Sequence, residues 1–182
     1  MDRYEVFAQA IGLLAMAMNV LSYQQKGQRR TIVFQLFGSL LFSVNYLMLG
    51  ATMGAVLNLI GVIRAIIYME RDRFHAAHIA WFFGFSAVYI LSYALTVTAF
   101  GNQSTSTNPI IELLPVIAMI VATFSYRYKE AKMIRRFGIV SSPLWLTYNI
   151  FNGSVGAILC EVLNLISITV GIVRFDIEKR KK

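Results

Sequence analysis

The chain is poor in the residues that most often carry chemistry or water solubility: one cysteine, two histidines and three prolines in 182 residues, with only 14% of the residues charged. A lone Cys160 inside an apolar run excludes disulfides and a cysteine-based metal site. There is no phosphate-binding glycine loop, no His-Glu-x-x-His and no Gly-x-Ser-x-Gly. The reading is therefore non-enzymatic, with no cofactor and no metal. A soluble domain carries about 25% charged and about 45–50% apolar residues. Here 57% are apolar and the mean hydropathy is +0.61, which cannot be wrapped into a water-facing sphere. The class that remains is an all-α integral membrane protein.

Apolar stretches fall at 5–24, 32–49, 53–70, 76–99, 109–127, 135–152 and 154–175. Each is about long enough to cross about 30 Å of hydrocarbon as a helix. Seven such spans use nearly the whole length, leaving short loops and no room for a second, soluble domain. Gly50-Ala51-Thr52 and Asn152-Gly153 read as tight turns, and Gly101 to Asn108 as a polar loop. The first span does not read as a cleaved signal peptide, because Asp2, Arg3 and Glu5 are not a basic start.

The charges separate by side. Lys26, Arg29 and Arg30 follow span one, Arg71 and Arg73 span three, Arg127, Lys129, Lys132, Arg135 and Arg136 span five, and Arg174, Lys179, Arg180, Lys181 and Lys182 span seven. The alternate loops at 50–53, 100–108 and 152–154 have none. The positive-inside rule then predicts the N-terminus outside and the C-terminus in the cytoplasm. The net charge of +8 is thereby a topology signal facing anionic lipid, with no nucleic acid needed.

The chain also aligns with itself. A shift of 103, which carries Tyr23 onto Tyr126, also pairs Ala15 with Ala118, Met16 with Met119, Ser22 with Ser125 and Lys26 with Lys129. The same register joins Phe34 to Phe137, Ser39 to Ser142, Leu41 to Leu144 and Gly50 to Gly153. Three extra residues then bring Val56-Leu57-Asn58-Leu59-Ile60 onto Val162-Leu163-Asn164-Leu165-Ile166. This predicts one membrane domain over 1–182, in which repeat one (5–75) and repeat two (109–175) flank a linker helix and loop (76–108), with a basic tail at 176–182. An odd connector makes the repeats parallel, two triple-helix sets in a 3+1+3 order.

That order resembles the SWEET sugar transporters and the PnuC vitamin transporters. The whole chain resembles the YgjV family of bacterial inner-membrane proteins, through Asn19-Val20-Leu21-Ser22-Tyr23, Gly38 to Gly50 and Val56 to Ile60. The second resemblance implies a multi-pass bacterial inner-membrane protein. The first implies a solute site formed by an Asn pair, for which Asn58 and Asn164 hold the matching places. SWEET-like proteins bend at a proline in the first helix of each repeat. Here Pro115 has Gly12 as its equivalent and Pro143 has Leu40, so half of those hinges are missing.

Gly54, Asn58, Gly61 and Ala65 form one helical stripe, and Ala157, Glu161, Asn164 and Gly171 the corresponding one. Small residues let membrane helices approach closely, and an Asn among them is often an interhelical hydrogen-bond donor. Two equivalent Asn facing a shared axis also suit a solute cavity. Glu161 lies about 10 Å below the outer surface, where an acid must be protonated, paired or exposed to water, so it is a candidate for solute or proton linkage. Arg64 is about 13.5 Å from it along parallel helices, predicting no pair and a side chain that snorkels to the cytoplasmic surface. On spans one and five, the stripe holding Met16, Tyr23, Met119 and Tyr126 reads as packing, and only Asn19 is kept as a candidate.

Asn45-Tyr46 and Trp145, Tyr148 and Asn149 near helix ends read either as interfacial anchors or, in a cavity open to the outside, as groups for a polar ring. Glu112 reads as an acid tolerated at a helix N-terminus. His75 and His78 read as interfacial, lacking a third metal ligand. The substrate-binding candidates are Asn58, Asn164, Glu161, Trp145, Asn149 and Asn19. The function expected is transport of a small polar solute across the bilayer, with a second copy of the chain as a candidate partner. The alternative is a non-transporting membrane receptor or interaction protein.

Overall fold

A computed structural model of the chain describes residues 3–99, 108–151 and 155–177. The loop beginning at Gly101, the Asn152-Gly153 turn and the tail Lys179 to Lys182 lie outside the described residues. Seven α-helices follow in order: α1 Arg3–Tyr23, α2 Gln28–Met48, α3 Thr52–Met69, α4 Ile79–Ala99, α5 Pro109–Tyr126, α6 Ala131–Phe151 and α7 Val155–Ile172. A π-helical turn, Val173–Ile177, continues α7. No strand occurs among the described residues.

Local chemistry sets the ends. Gly50 adopts φ +72°, the left-handed conformation a glycine enters without a Cβ clash, and lets α2 reverse into α3. Asn108 caps α5 by accepting a hydrogen bond from the Ile110 N–H at 3.0 Å, with Pro109 at the first helical position, where no N–H is needed. Six helices are long and apolar enough to cross a membrane. The sixth expected span differs: α6 is as long as α2, but starts at Ala131 and so includes Lys132, Arg135 and Arg136 in its first two turns. A helix keeps its hydrogen bonds internal whatever its side chains, so these cations extend α6 without breaking it.

The outer surface is apolar, with Phe7, Leu47, Phe83, Leu91 and Phe151 more than half exposed, while Ser22, Thr31, Asn45, Arg64, Thr123, Asn149 and Asn164 are buried. Polar groups inside and apolar groups outside suit lipid as the solvent.

The packing order follows the chain in two sets. α1 lies on α2 and α2 on α3, while α5 lies on α6 and α6 on α7. The sets meet where α1 packs on α7 and α3 on α5, and α4 packs against α3 and α5. The α1–α7 seam is the closer one. A Cβ built on Gly171 would come within 2.6 Å of the Tyr23 carbonyl oxygen. Gln24 donates to the Ser167 carbonyl at 2.7 Å and to its hydroxyl at 2.9 Å, and Ser167 donates to the Val20 carbonyl at 2.7 Å.

Arg135 closes the same end. Its guanidinium forms a two-pronged pair with Asp176, Nε to Oδ2 at 3.0 Å and Nη2 to Oδ1, and Nη1 donates to the Gln25 carbonyl at 3.1 Å. The expectation of a loop cation is corrected here. The early start of α6 places Arg135 one turn inside the helix, facing the π turn and the end of α1.

Candidate functional site

Between the two helix sets lies a cavity of about 100 Å³. That is ample for ordered water, since a polar void of about 10–15 Å³ by this measure already holds one molecule. Asn58, Asn164, Glu161, Trp145, Asn149 and Asn19 all line it. They come from α1, α3, α6 and α7, so the fold brings together residues spread over most of the chain.

Positions 103 apart in the sequence recur in the lining. The shift of 103 relates Asn19 to Ala122, Tyr23 to Tyr126, Ser39 to Ser142, Phe42 to Trp145 and Tyr46 to Asn149, and every one of these residues lines the cavity. Asn58 and Asn164 add a sixth pair. One pair touches directly, as the Tyr46 hydroxyl approaches Asn149 Oδ1 at 3.5 Å.

Glycines make room for several of these groups. A Cβ on Gly38 would stand 2.8 Å from Asn19 Oδ1, and one on Gly54 would stand 3.0 Å from the Tyr46 ring. The stripe of small residues on α3 thus divides by role. Gly54 admits the Tyr46 ring and Gly61 packs near Met119 and Ser39, while Asn58 lines the cavity. The Asn58 side chain donates within its own helix, to the Gly54 carbonyl at 2.8 Å, so its bond does not tie α3 to a neighbour.

On α7, Glu161 accepts from the Ser142 hydroxyl at 2.5 Å and from Asn164 Nδ2 at 3.4 Å. Asn164 Nδ2 also approaches the Cys160 sulfur at 3.6 Å. Asn164 is 4% exposed, and its Oδ1 has no hydrogen-bond partner. The acid is thus held by donors from α6 and from its own helix, with one buried acceptor left over beside it.

Arg64 departs most from expectation. It does not snorkel to the cytoplasmic surface; it is 4% exposed and lines the cavity. Nη1 donates to Thr123 Oγ1 at 3.1 Å and to the Met119 carbonyl at 3.3 Å, and the guanidinium carbon lies 4.5 Å from the centre of the Tyr126 ring. These α5 groups satisfy part of the head, and the ring face attracts the cation, so the side chain is held inward. No ion pair joins Arg64 and Glu161 among the described residues.

Other sequence expectations shift as well. Tyr23 and Tyr126, read as packing, line the cavity, and the Tyr126 hydroxyl bonds to Gln35 Oε1. Tyr46 is buried and lines the cavity instead of anchoring at the interface, and Asn45 is buried and donates to the Ala8 carbonyl at 2.8 Å. Local sequence does not mark the tyrosines and Arg64, because aromatic stripes and a basic residue near a helix end usually belong to packing or to the interface. The sequence signal for the tyrosines is the self-alignment, in which Tyr23 and Tyr126 are an identical pair. Glu112 sits in the first turn of α5 as expected, yet is buried, as is Tyr148. His75 and His78 are exposed before α4, and the His78 ring accepts from the Ala80 N–H at 3.2 Å.

The amides, hydroxyls, acid, cation and aromatic faces around this cavity can bind a small polar molecule through hydrogen bonds and ring contacts. No curated protein and no solved structure matches the chain. The family model described as a bacterial inner membrane protein, Imp-YgjV, matches residues 6–179. With a lipid-compatible surface, six helices able to cross a membrane and this match over nearly the full length, the chain belongs to the Imp-YgjV family of multi-pass bacterial inner-membrane proteins.

Proposed function

We propose that the protein transports a small polar solute across the inner membrane. All seven helices cross the bilayer with the N-terminus outside and the C-terminus in the cytoplasm, as two parallel triple-helix repeats joined by α4. The observation that carries the reading is the convergence of six repeat-related pairs on one polar cavity inside an apolar shell. Two further features support it. The seams α1–α7 and α5–α3 are the same contact under the repeat, as a pseudo-two-fold axis requires. Ser22 and Ser125, an equivalent pair, bond to the carbonyls of Asn19 and Ala122 at the same 2.6 Å.

Asn58, Asn164 and Glu161 bind the solute, with Asn19, Asn149 and Trp145 completing the contacts. One repeat rocks against the other to open the cavity alternately to each side, and Pro115 within α5 is a local weak point in the helix ladder. No catalytic step belongs to the reading.

The test is uptake into proteoliposomes across sugars, nucleosides, vitamins and amino or hydroxy acids. Uptake of at least one is expected, and Asn164→Leu should reduce it about tenfold or more by removing a buried hydrogen-bonding group. Folded protein with no uptake across the whole set contradicts the proposal. The small cavity and the absent prolines opposite Pro115 and Pro143 favour a second reading, a membrane interaction protein. Crosslinking that captures a stoichiometric partner, from protein that moves no solute, would decide for it.

A further inference from the structure

Resting on the transporter reading and narrowing its substrate, we propose that the solute carries a carboxylate, held by Arg64, and a hydroxyl or ammonium donor, held by Asn164 and Glu161. Two orphaned polar atoms, on residues that line the cavity, define this complement. Arg64 Nε and Asn164 Oδ1 are both buried without a hydrogen-bond partner, on side chains that are each 4% exposed and line the same cavity.

The charge at Arg64 is uncompensated by protein. A guanidinium stays protonated in proteins, and its contacts are a carbonyl, a hydroxyl, the Met119 sulfur and a ring, all neutral. Its ion-pairing capacity is therefore unused inside the membrane, where an isolated charge is disfavoured. The planar fork of donors matches a carboxylate.

Opposite demands hold at the α7 end. Asn164 Nδ2 is spent on the Cys160 sulfur and Glu161. Flipping the amide would set its oxygen against the Glu161 carboxyl, so the free atom is the acceptor. Two acceptors, Asn164 Oδ1 and Glu161, call for a donor on the solute.

Charge and size narrow the class. One guanidinium balances one carboxylate, whereas a doubly charged phosphate would leave a second negative charge without a partner. A cavity of about 100 Å³ admits a small molecule such as lactate or alanine. In the repeat register, Arg64 lies six residues beyond the depth of Asn164, about 9 Å along parallel helices. A short amino or hydroxy acid with a hydrogen bond of about 2.9 Å at each end covers that span.

Ala122, half-buried at the same cavity, reports occupancy when changed to cysteine in a chain carrying Cys160→Ser. The experiment follows alkylation of that cysteine by N-ethylmaleimide, and uptake of radiolabelled lactate and alanine, in the full chain in phosphatidylcholine vesicles. Lactate or alanine should slow alkylation about tenfold at saturation and be taken up, while 1,2-propanediol, which keeps the hydroxyl and lacks the carboxylate, should not protect. Arg64→Gln should abolish both effects and Arg64→Lys should keep part of them. Asn164→Asp, which retains Arg64, should shift preference from lactate toward alanine.

Equal protection by 1,2-propanediol, or lactate protection surviving in Arg64→Gln, overturns the carboxylate assignment while leaving a solute site in place. Slowing by phosphatidylglycerol without added solute assigns the guanidinium to lipid headgroups and also overturns it. No protection and no uptake with any probe, neutral ones included, removes the transporter reading as well.

Discussion

Replacing Arg135 by alanine is expected to destabilise the folded protein by about 3–5 kcal/mol, because it strips the partner from a carboxylate that the fold keeps buried. The side chains of Arg135 and Asp176 are 3% and 7% exposed, and the guanidinium also bonds to the Gln25 carbonyl. One residue thus links α6, the end of α1 and the π turn after α7. Asp176→Asn should cost less than Arg135→Ala, since it keeps a hydrogen-bond acceptor for the guanidinium. The double change Arg135→Leu with Asp176→Leu should be more stable than Arg135→Ala alone, because no charge is left unpaired. Arg29 and Glu70, paired at 2.7 Å but 71% and 38% exposed, provide the contrast: Glu70→Gln should change stability by about 1 kcal/mol or less. Thermal unfolding of purified protein in detergent measures all four. A loss at Arg135 no larger than that at Glu70 would show that this pair does not hold α6 to the ends of α1 and α7.

Gly171→Ala is expected to cost about 1–3 kcal/mol through overpacking, although it adds a single methyl group. The new Cβ would lie 2.6 Å from the Tyr23 carbonyl oxygen and 2.8 Å from Arg135 Cδ. Backbone on the first side and a held guanidinium stem on the second leave little freedom, so α7 must move away from α1. Gly138 makes a useful comparison. A Cβ there would meet Ile168 Cδ1 at 2.9 Å and the Tyr23 ring at 3.3 Å, and the end of an isoleucine can turn aside. Gly138→Ala should therefore be the milder change. The same unfolding measurement ranks them, and the reverse order would show that the α1–α7 seam is not the tighter constraint. Because Gly171 and Arg135 touch, their combined effect should fall outside simple addition.

The helices were largely legible before any coordinates, because a chain that must satisfy every backbone group inside lipid has few options and long apolar runs mark them. Their ends were less so. The cations at 132, 135 and 136 read as loop residues by the rule that assigns basic groups to cytoplasmic connections, whereas α6 takes them up. That rule counts charges by side and carries no information on which cation turns inward. For Arg135 the deciding partner, Asp176, lies 41 residues away. For Arg64 the deciding groups are Met119, Thr123 and Tyr126, all on another helix. Tertiary partners of this kind leave no mark in local spacing.

The cavity was partly legible for the opposite reason. Asn58 and Asn164 stand out because each sits in the same five-residue run, Val-Leu-Asn-Leu-Ile, and Glu161 because an acid is rare in such a stretch. The tyrosines did not stand out, since an aromatic on a helix face packs far more often than it lines a pocket. Their place at the cavity wall depends on glycines on neighbouring helices. Gly54 leaves space for the Tyr46 ring, and that relation appears only when the helices are assembled.

The central claim is that the space around Asn58 and Asn164 is a wet solute path and not a dry helix contact. The most direct measurement places a single cysteine at Asn58, in a chain carrying Cys160→Ser, and follows its labelling by a membrane-impermeant thiol reagent in sealed vesicles. The lipid-facing Leu159, 54% exposed, is the control when changed to cysteine in the same background. Labelling of Asn58→Cys but not Leu159→Cys, slowed by the transported solute, is the result predicted. An Asn58→Cys chain that stays as unreactive as the lipid-facing control, and reacts only after unfolding, would contradict it.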